Sequence, residues 1–199
     1  MEINNKYHCF SIRDHINSRD EEKRNLLSFC LSSFSCPKNP DIERFLKKSA
    51  VEFTKKQQSV TYFVITNSNP LLFAGYFTLA IKPFEVGVSD IPSNTWRRKI
   101  ERVARFNENT QKYSAAGYLI AQMGKNFTDG ANEMITGNEL LEIALDMVYS
   151  IQDMAGGMIT FLEAENNEKL INFYTRNGFH LISNPNTPRE ELIQFFRML

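Results

Sequence analysis

Apolar residues recur at helical spacing in two segments near the start of the chain. In residues 21–34 they are spaced so that they would share one helix face: Leu26, Leu27, Cys30, Leu31 and Phe34. A second helix is predicted to begin at Asn39-Pro40, because asparagine is a favoured N-cap and proline suits the first helical position. Its apolar face would contain Ile42, Phe45, Leu46, Ala50 and Phe53. The pattern predicts two amphipathic helices.

Segments rich in β-branched and aromatic residues predict strands on both sides of these helices. The predicted strands are residues 7–13, 60–66, 72–81, 117–123, 158–163, 179–182 and 192–198. The second and third should pair as a hairpin, since Asn67-Ser68-Asn69-Pro70 between them is a turn signal. Later strands alternate with helices predicted over residues 137–155 and 167–176. Antiparallel strands followed by a βαβ unit predict a mixed α/β sheet.

Residues 96–107 carry a cluster of basic side chains on a predicted helix. The cations are Arg97, Arg98, Lys99, Arg102 and Arg105, and the inner face would hold Trp96, Ile100 and Val103. One interpretation is a patch for a phosphate-rich partner, and the other is a solvated helix face in which Glu101 and Glu108 dilute the charge.

Composition and length limit the classes of protein to which this chain can belong. The 199 residues include 23 Lys+Arg and 23 Asp+Glu, and this balance argues against broad electrostatic binding to nucleic acid or anionic membranes. The length predicts one domain over residues 1–199. Three cysteines without a signal-peptide core suggest reduced thiols and a cytoplasmic protein. The histidines and cysteines form no close ligand pair, so we expect no structural zinc site. No apolar run is long enough to cross a bilayer.

The segment Thr136-Gly137-Asn138-Glu139-Leu140-Leu141 opens the predicted long helix. Thr136 and Glu139 have the spacing of a capping box, and Gly137 permits close approach by a backbone or a ligand. The N–H groups of a helix N-terminus favour an anion such as pyrophosphate. An ordinary capped helix is the alternative interpretation.

The segment Asn167-Glu168-Lys169-Leu170-Ile171-Asn172-Phe173-Tyr174-Thr175-Arg176-Asn177-Gly178-Phe179 carries the most specific motif of the chain. It resembles the GCN5-related N-acetyltransferase (GNAT) superfamily, which has Asn-x-x-Ala-x-x-Phe/Tyr-Tyr-x-x-x-Gly-Phe at this place. Asn167, Phe173, Tyr174, Gly178 and Phe179 match the pattern, whereas a leucine stands where the family has a small residue. Without the resemblance, the same aromatic residues would be core residues and Gly178 a helix cap.

The resemblance extends over roughly residues 30–199. Over this range the chain is similar to an uncharacterised bacterial GNAT subgroup. It implies a GNAT fold: a central, mixed and mostly antiparallel sheet, splayed at the middle strand near residues 123–125 and flanked by helices. In that family the splayed strand pairs through its main chain with the pantetheine arm of acetyl-CoA, and Met123 and Lys125 have that position. The family's pyrophosphate loop matches residues 132–137 only at Gly137. Main-chain N–H groups from Ile135, Thr136, Gly137 and Asn138 could still bind the pyrophosphate.

The implied reaction is direct transfer of an acetyl group from acetyl-CoA to a primary amine, without a metal. The resemblance assigns Tyr174 to protonating the departing CoA thiolate, and an ordinary phenol is still protonated at neutral pH. It also places Asn167 and Tyr174 against acetyl-CoA, and the N–H of Met123 against the thioester carbonyl. The candidate bases are Glu163, Glu165 and Glu85, with water or an already neutral amine as alternatives.

Three functions are compatible with the sequence. The first is an N-acetyltransferase for a small molecule or a peptide. The second is a GNAT-type toxin that acetylates aminoacyl-tRNA, for which the basic segment from Arg97 to Arg105 would meet RNA phosphates. The third is a CoA-binding module without catalysis, suggested by the degenerate loop. We also expect no membrane partner and consider a homodimer.

Overall fold

The computed structural model describes residues 2–3, 6–182 and 192–199. The strands are β1 (Glu2–Ile3), β2 (Tyr7–Ser11), β3 (Val60–Thr66), β4 (Phe73–Gly87), β5 (Arg105–Asn107), β6 (Lys112–Lys125), β7 (Ile159–Glu165), β8 (His180–Ile182) and β9 (Leu192–Met198). The helices are α1 (Arg13–Ile16), α2 (Glu21–Ser33), α3 (Pro40–Lys48), α4 (Ala50–Lys55), α5 (Asn94–Glu101), α6 (Gly137–Ala155) and α7 (Glu168–Arg176). Two 3-10 turns occupy Val88–Asp90 and Thr128–Glu133.

The strands form a mixed sheet in the order β1-β2-β3-β4-β6-β7-β9-β8, with β5 paired to β6. The pairs β1–β2, β2–β3, β3–β4, β5–β6, β7–β9 and β8–β9 are antiparallel, and β6–β7 is parallel. The predicted mixed, mostly antiparallel α/β fold is confirmed.

The chain divides into two compact units, and three elements contribute residues to both. The first unit comprises Met1–Ala80 and Ala121–Met147, and the second comprises Ile81–Ile120 and Val148–Leu199. The prediction of a single domain stays a prediction. Within the described ranges, no helix is both long and apolar enough to span a membrane, and the cytoplasmic location stays a prediction.

The core of the first unit is built from the helices predicted by apolar spacing. Cys30 and Phe34, on and just after α2, pack with Leu46 of α3 and with Phe63 and Tyr76 of the hairpin strands. The second predicted helix is interrupted at Ser49, whose φ is −120°, so it becomes α3 and α4.

The core of the second unit joins strands distant in sequence. Phe84 of β4, Phe161 of β7 and Phe196 of β9 are fully or almost fully buried together. Ile100 of α5 is also buried there, and Trp96 packs against the cluster, as the helical spacing predicted.

The predicted helix over residues 96–107 is too long. Helix α5 ends at Glu101, and Arg105–Asn107 forms β5, in which Arg105 pairs with Ser114 of β6. A main-chain ladder to a distant strand therefore overrides the local helical pattern.

The parallel ladder between β6 and β7 is short. Among described residues it consists of Tyr118 opposite Thr160 and Leu119 opposite Phe161. The Thr160 hydroxyl adds a 2.9 Å hydrogen bond to the Tyr118 carbonyl. The pairing ends at Leu119, four residues before Met123, so the splay begins earlier than the predicted residues 123–125.

Candidate functional site

The C-terminal end of β6, which holds Met123 and Lys125, is closely approached by its neighbours in the first unit. A Cβ added to Gly75 of β4 would stand 2.6 Å from the Gly124 carbonyl oxygen. A Cβ added to Gly124 would stand 2.5 Å from Ile42 Cγ2 of α3. Both distances are below any ordinary contact, so a side chain at Gly75 would displace main chain, and one at Gly124 would displace the Ile42 side chain. Met123 and Lys125 themselves are half-buried.

The Lys125 side chain anchors the loop that leads into α6. Its Nζ donates to the carbonyl oxygens of Asn132 at 2.7 Å and Ile135 at 3.0 Å. The sequence suggested a main-chain contact for Lys125 and did not predict this side-chain role. The ammonium group fixes the loop and places a positive charge beside it.

Asn126 is a buried polar residue that the sequence analysis missed. Its side-chain oxygen accepts from the N–H of Ser35 at 2.9 Å and of Thr128 at 3.2 Å. Its side-chain nitrogen donates to the Phe73 carbonyl at 3.0 Å. Asn126 is 2% exposed and therefore holds together the end of α2, the start of β4 and the loop before α6. An asparagine after an apolar strand gives no sequence signal for such a role.

The predicted capping box is present at the start of α6. The Thr136 N–H donates to Glu139 Oε2 at 2.8 Å, and the Glu139 N–H donates to Thr136 Oγ1 at 3.1 Å. Lys6 Nζ lies 3.4 Å from Glu139 Oε1. The hydrogen bond from the Thr136 main chain is the largest cause that lowers the pKa of Glu139. One of the four N–H groups predicted to bind pyrophosphate is thus already bonded to a carboxylate.

Ile135, Gly137 and Asn138 complete that predicted set. Ile135 is buried, Gly137 is half-buried at the first position of α6, and Asn138 is exposed. The Tyr7 hydroxyl donates to the Met134 carbonyl at 2.8 Å and fixes the loop from the side of β2. Burial and the Glu139 charge raise the pKa of Tyr7 to about 12. Pyrophosphate binding by Ile135, Thr136, Gly137 and Asn138 stays a prediction.

In the second unit, Tyr174 lies in an aromatic setting on α7. Its ring centroid is 5.0 Å from Phe173, 5.9 Å from Phe179 and 5.3 Å from Phe195. Burial raises its pKa to about 12. Its hydroxyl has no hydrogen-bond partner within the part of the chain that the structure describes, so the side chain is held by ring contacts alone.

The motif around Tyr174 is fixed by its neighbours. Phe179 is fully buried, and Gly178 has a φ of +78°, the left-handed conformation that favours glycine. Arg197 of β9 donates to the Asn177 carbonyl and to the Tyr149 hydroxyl, each at 3.1 Å. Arg197 was not predicted, because its partners are distant in sequence.

Asn167 is the N-cap of α7, and its side-chain oxygen accepts from the Lys169 N–H at 2.9 Å. This hydrogen bond uses one acceptor position of the Asn167 side chain, and its predicted contact with acetyl-CoA stays a prediction.

The three candidate bases are exposed. Glu163 and Glu165 alternate with buried Ala164, so both point to one face of β7. Glu85 lies inside β4 rather than after the hairpin strand, and its Oε2 is 3.7 Å from Lys112 Nζ. Which of them acts as a base stays a prediction.

The second unit also contains an open groove of about 870 Å³. It is lined by residues from β4, from β5 and the turn after it, and from β6: Ile81, Lys82, Pro83, Arg105, Phe106, Asn107, Glu108, Asn109, Ser114, Ala115 and Ala116. The lining thus includes the small residues Ser114, Ala115 and Ala116, two cations and a carboxylate.

No group of three or more His, Cys, Asp or Glu side chains that could hold a metal ion occurs among the described residues. Cys9, Cys30 and Cys36 are free and buried, and burial raises the pKa of each thiol.

No protein-family model matches the sequence. No curated protein matches it either. Solved structures, by contrast, match over nearly the whole chain. A Tyr-to-Phe mutant of KacT has a TM-score of 0.65 and 19% identity, and the match covers 97% of this chain and 95% of that one.

AtaT complexed with acetyl-methionyl-tRNAfMet has a TM-score of 0.63 and 17% identity, with 95% and 94% coverage. A Tyr-to-Phe mutant of the AtaT toxin, bound to the C-terminus of the antitoxin AtaR and acetyl-CoA, has a TM-score of 0.59 and 17% identity, with 95% and 92% coverage. The chain shares the fold of KacT and AtaT, and the predicted GNAT fold is confirmed.

Proposed function

We propose that this protein is an N-acetyltransferase that moves the acetyl group of acetyl-CoA to a primary amine by direct attack. The observation that carries the proposal is the Tyr174 hydroxyl, which is protonated, partly buried and not used in any hydrogen bond with described residues. A tyrosine in the matching motif of a GNAT fold is suited to giving a proton to a leaving thiolate.

The main chain of β6 fits acetyl-CoA. Its ladder with β7 ends at Leu119, so the following N–H and C=O groups have no described partner in β7. β4 is the neighbour of β6 on its other side. The N–H and C=O groups of β6 that face the β7 side beyond Leu119 need other hydrogen-bond partners, and a pantetheine arm carries amides that can supply them. Met123 and Lys125 would hold this arm, and Ile135, Thr136, Gly137 and Asn138 the pyrophosphate, with Asn167 as a further contact.

Acetyl-CoA supplies an activated acetyl thioester. The acceptor nitrogen forms the new C–N bond as the C–S bond breaks. The N–H of Met123 would donate to the carbonyl oxygen, on which negative charge develops. Tyr174 would donate its proton to the departing sulfur, and solvent would restore it. A pKa near 12 keeps the phenol protonated, and a buried thiolate gains proton affinity from the same desolvation.

The proton released from the amine needs an acceptor. Glu163 and Glu165 are exposed on one face of β7, so either could receive it through water. A Glu163→Gln variant and a Glu165→Gln variant, assayed separately, would assign this role.

Acetylation of aminoacyl-tRNA is a second candidate that one observation favours. Around α5, Arg98, Lys99 and Arg102 are exposed and form no ion pair with a described residue, whereas Arg97 pairs with Glu101 at 3.0 Å. Lys99 Nζ lies 4.3 Å from the centroid of the Trp96 ring. Exposed cations that form no ion pair attract RNA phosphates even in a neutral chain. AtaT, which has the same fold, binds acetyl-methionyl-tRNAfMet.

The decisive experiment measures acetyl-CoA binding by calorimetry and transfer by mass spectrometry. We expect binding by the wild-type protein and its loss in Gly137→Trp, because the indole would cover the start of α6. Asp153→Trp, an exposed position near the other end of the same helix, is the control. Acetyl-CoA binding without transfer to small amines, peptides or methionyl-tRNA would favour a module without catalysis. Unchanged binding in Gly137→Trp would remove the proposed pyrophosphate site.

A further inference from the structure

The side chain of Arg197 joins three elements of the second unit. Its main chain lies in β9, where it pairs with Thr160 of β7. Its Nη1 donates to the Asn177 carbonyl oxygen, which follows α7, and its Nη2 donates to the Tyr149 hydroxyl of α6, each at 3.1 Å. The donors of a guanidinium group have fixed directions in one plane. The two hydrogen bonds therefore hold β9, α6 and the end of α7 in one arrangement.

The turn that Arg197 holds is bonded directly to Tyr174. The N–H groups of Asn177 and Phe179 donate to the Tyr174 carbonyl oxygen at 3.1 Å and 3.0 Å. The last carbonyls of a helix have no partner within the helix, and a basic side chain can supply one. Arg197 supplies it at Asn177, so the turn is bonded to Tyr174 on one side and to β9 on the other.

The Tyr174 ring also contacts β9. Phe195 lies two residues before Arg197, so both side chains are on one face of the strand. The ring centroids of Phe195 and Tyr174 are 5.3 Å apart. Ring contacts limit where the phenol lies, but its hydroxyl has no hydrogen bond with a described residue. The position of the hydroxyl therefore depends on where β9 and the end of α7 hold the main chain of Tyr174.

This position matters for proton transfer. A general acid must come within about 2.6–3.2 Å of the atom that it protonates. A displacement of about 1 Å in a reacting group can slow a reaction on the order of 100-fold. A group that holds the end of α7 in place thus affects the rate without contacting the substrate.

We propose that Arg197 is a positioning residue for Tyr174, which it aligns with the departing sulfur through Asn177, with Tyr149 as its second anchor. The inference rests on the proposed acetyltransferase function and adds a residue to which the resemblance assigns no role. The proton still comes from Tyr174.

The first test separates turnover from binding. Arg197→Met keeps an unbranched apolar stem and removes both hydrogen bonds. With small amines, peptides and methionyl-tRNA as acceptors, we expect kcat to fall about 10- to 100-fold, while KM and the calorimetric Kd for acetyl-CoA stay within about twofold. Tyr149→Phe removes one of the two bonds and should lower kcat about 3- to 10-fold. Arg176→Met removes an exposed cation of α7 and is the matched control, with no change expected.

The second test is a double-mutant cycle with Tyr174→Phe. If Arg197 acts through the Tyr174 hydroxyl, Arg197→Met should lower kcat by less than about twofold once that hydroxyl is absent. An equal fold-loss of kcat in both backgrounds would show that Arg197 supports the fold and would overturn the positioning role. If Arg197→Met is too unstable to purify, Tyr149→Phe takes its place in the cycle, and an unchanged kcat there would overturn the proposal.

The third test does not depend on activity. In the full chain labelled with ¹³C-tyrosine, the Tyr174 ring signal is assigned by its loss in Tyr174→Phe. We expect this signal to shift or broaden in Arg197→Met and to stay unchanged in Arg176→Met. A wild-type protein that transfers no acetyl group but shows this response would refute the enzyme function and keep the structural link. An active protein whose kcat and Tyr174 signal are insensitive to Arg197→Met would do the reverse.

Discussion

Replacing Tyr174 with phenylalanine separates its chemical role from its structural role. The substitution removes one hydroxyl and keeps the ring against Phe173, Phe179 and Phe195. Because the hydroxyl has no hydrogen bond within the described chain, the folded state loses none of the roughly 0.5–1.5 kcal/mol that such a bond contributes. We therefore expect the melting temperature to change by less than about 2 °C.

Turnover should respond very differently. Loss of a general acid typically slows a reaction by ~10²–10⁴-fold, which corresponds to about 3–5 kcal/mol of barrier. Affinity for acetyl-CoA should stay within about twofold of wild type. Since the pKa of Tyr174 is raised to about 12, the wild-type rate should show no alkaline loss attributable to this group up to pH ~10.5.

Tyr76 provides a matched control in the same chain. Its buried hydroxyl donates to the Ile42 carbonyl at 2.7 Å. Ile42 lies inside helix α3, so its carbonyl keeps its helical position and Tyr76→Phe removes only the added hydrogen bond. This loss should cost about 0.5–1.5 kcal/mol, or roughly 1–6 °C in melting temperature. The assay follows CoA release with a thiol reagent, using methionyl-tRNA and a panel of amines, beside a melting curve for each variant. Unchanged turnover in Tyr174→Phe together with a lowered melting temperature would refute the catalytic role.

Two further perturbations test the first unit. Asn126→Ala removes three described hydrogen bonds to the main chain. It should lower the free energy of unfolding by about 2–4 kcal/mol in urea titrations. Replacing the exposed Asn172 with alanine should change this free energy little, and equal effects of the two substitutions would contradict the proposed anchoring. Glu139→Gln keeps the capping geometry but removes a carboxylate whose pKa is lowered in the folded state. Such a group stabilises above its unfolded pKa of about 4.3 and loses this contribution as pH falls through the lower folded value. The wild type should thus lose more stability than Glu139→Gln between pH ~5 and ~3, and parallel curves would argue against it.

Features that depend on neighbours along the chain were predictable from sequence. The apolar spacing predicted α2 and its core residues, and strand-forming residues around a turn predicted the β3–β4 hairpin. The bounds of α6 were predicted as observed, and the capping box of Thr136 and Glu139 was predicted with its hydrogen bonds. Of the aromatic residues in the α7 motif, Phe179 is fully buried as a core residue, whereas Phe173 and Tyr174 are half-buried. Helix periodicity, capping and turn chemistry act over about one to four residues, so the sequence displays them directly.

Features that depend on distant partners were decided by tertiary structure alone. Arg105 lies in strand β5 and not in the predicted helix, because it pairs with Ser114 of β6. The β6–β7 ladder ends at Leu119 rather than near Met123. The anchoring by Lys125 and Asn126, the raised pKa of Tyr174 and the groove between β4, β5 and β6 have no local sequence signal. Each of these features requires contact between groups that are far apart in sequence. The free energies of strand pairing and of burial depend on those contacts, which exist only in the folded chain.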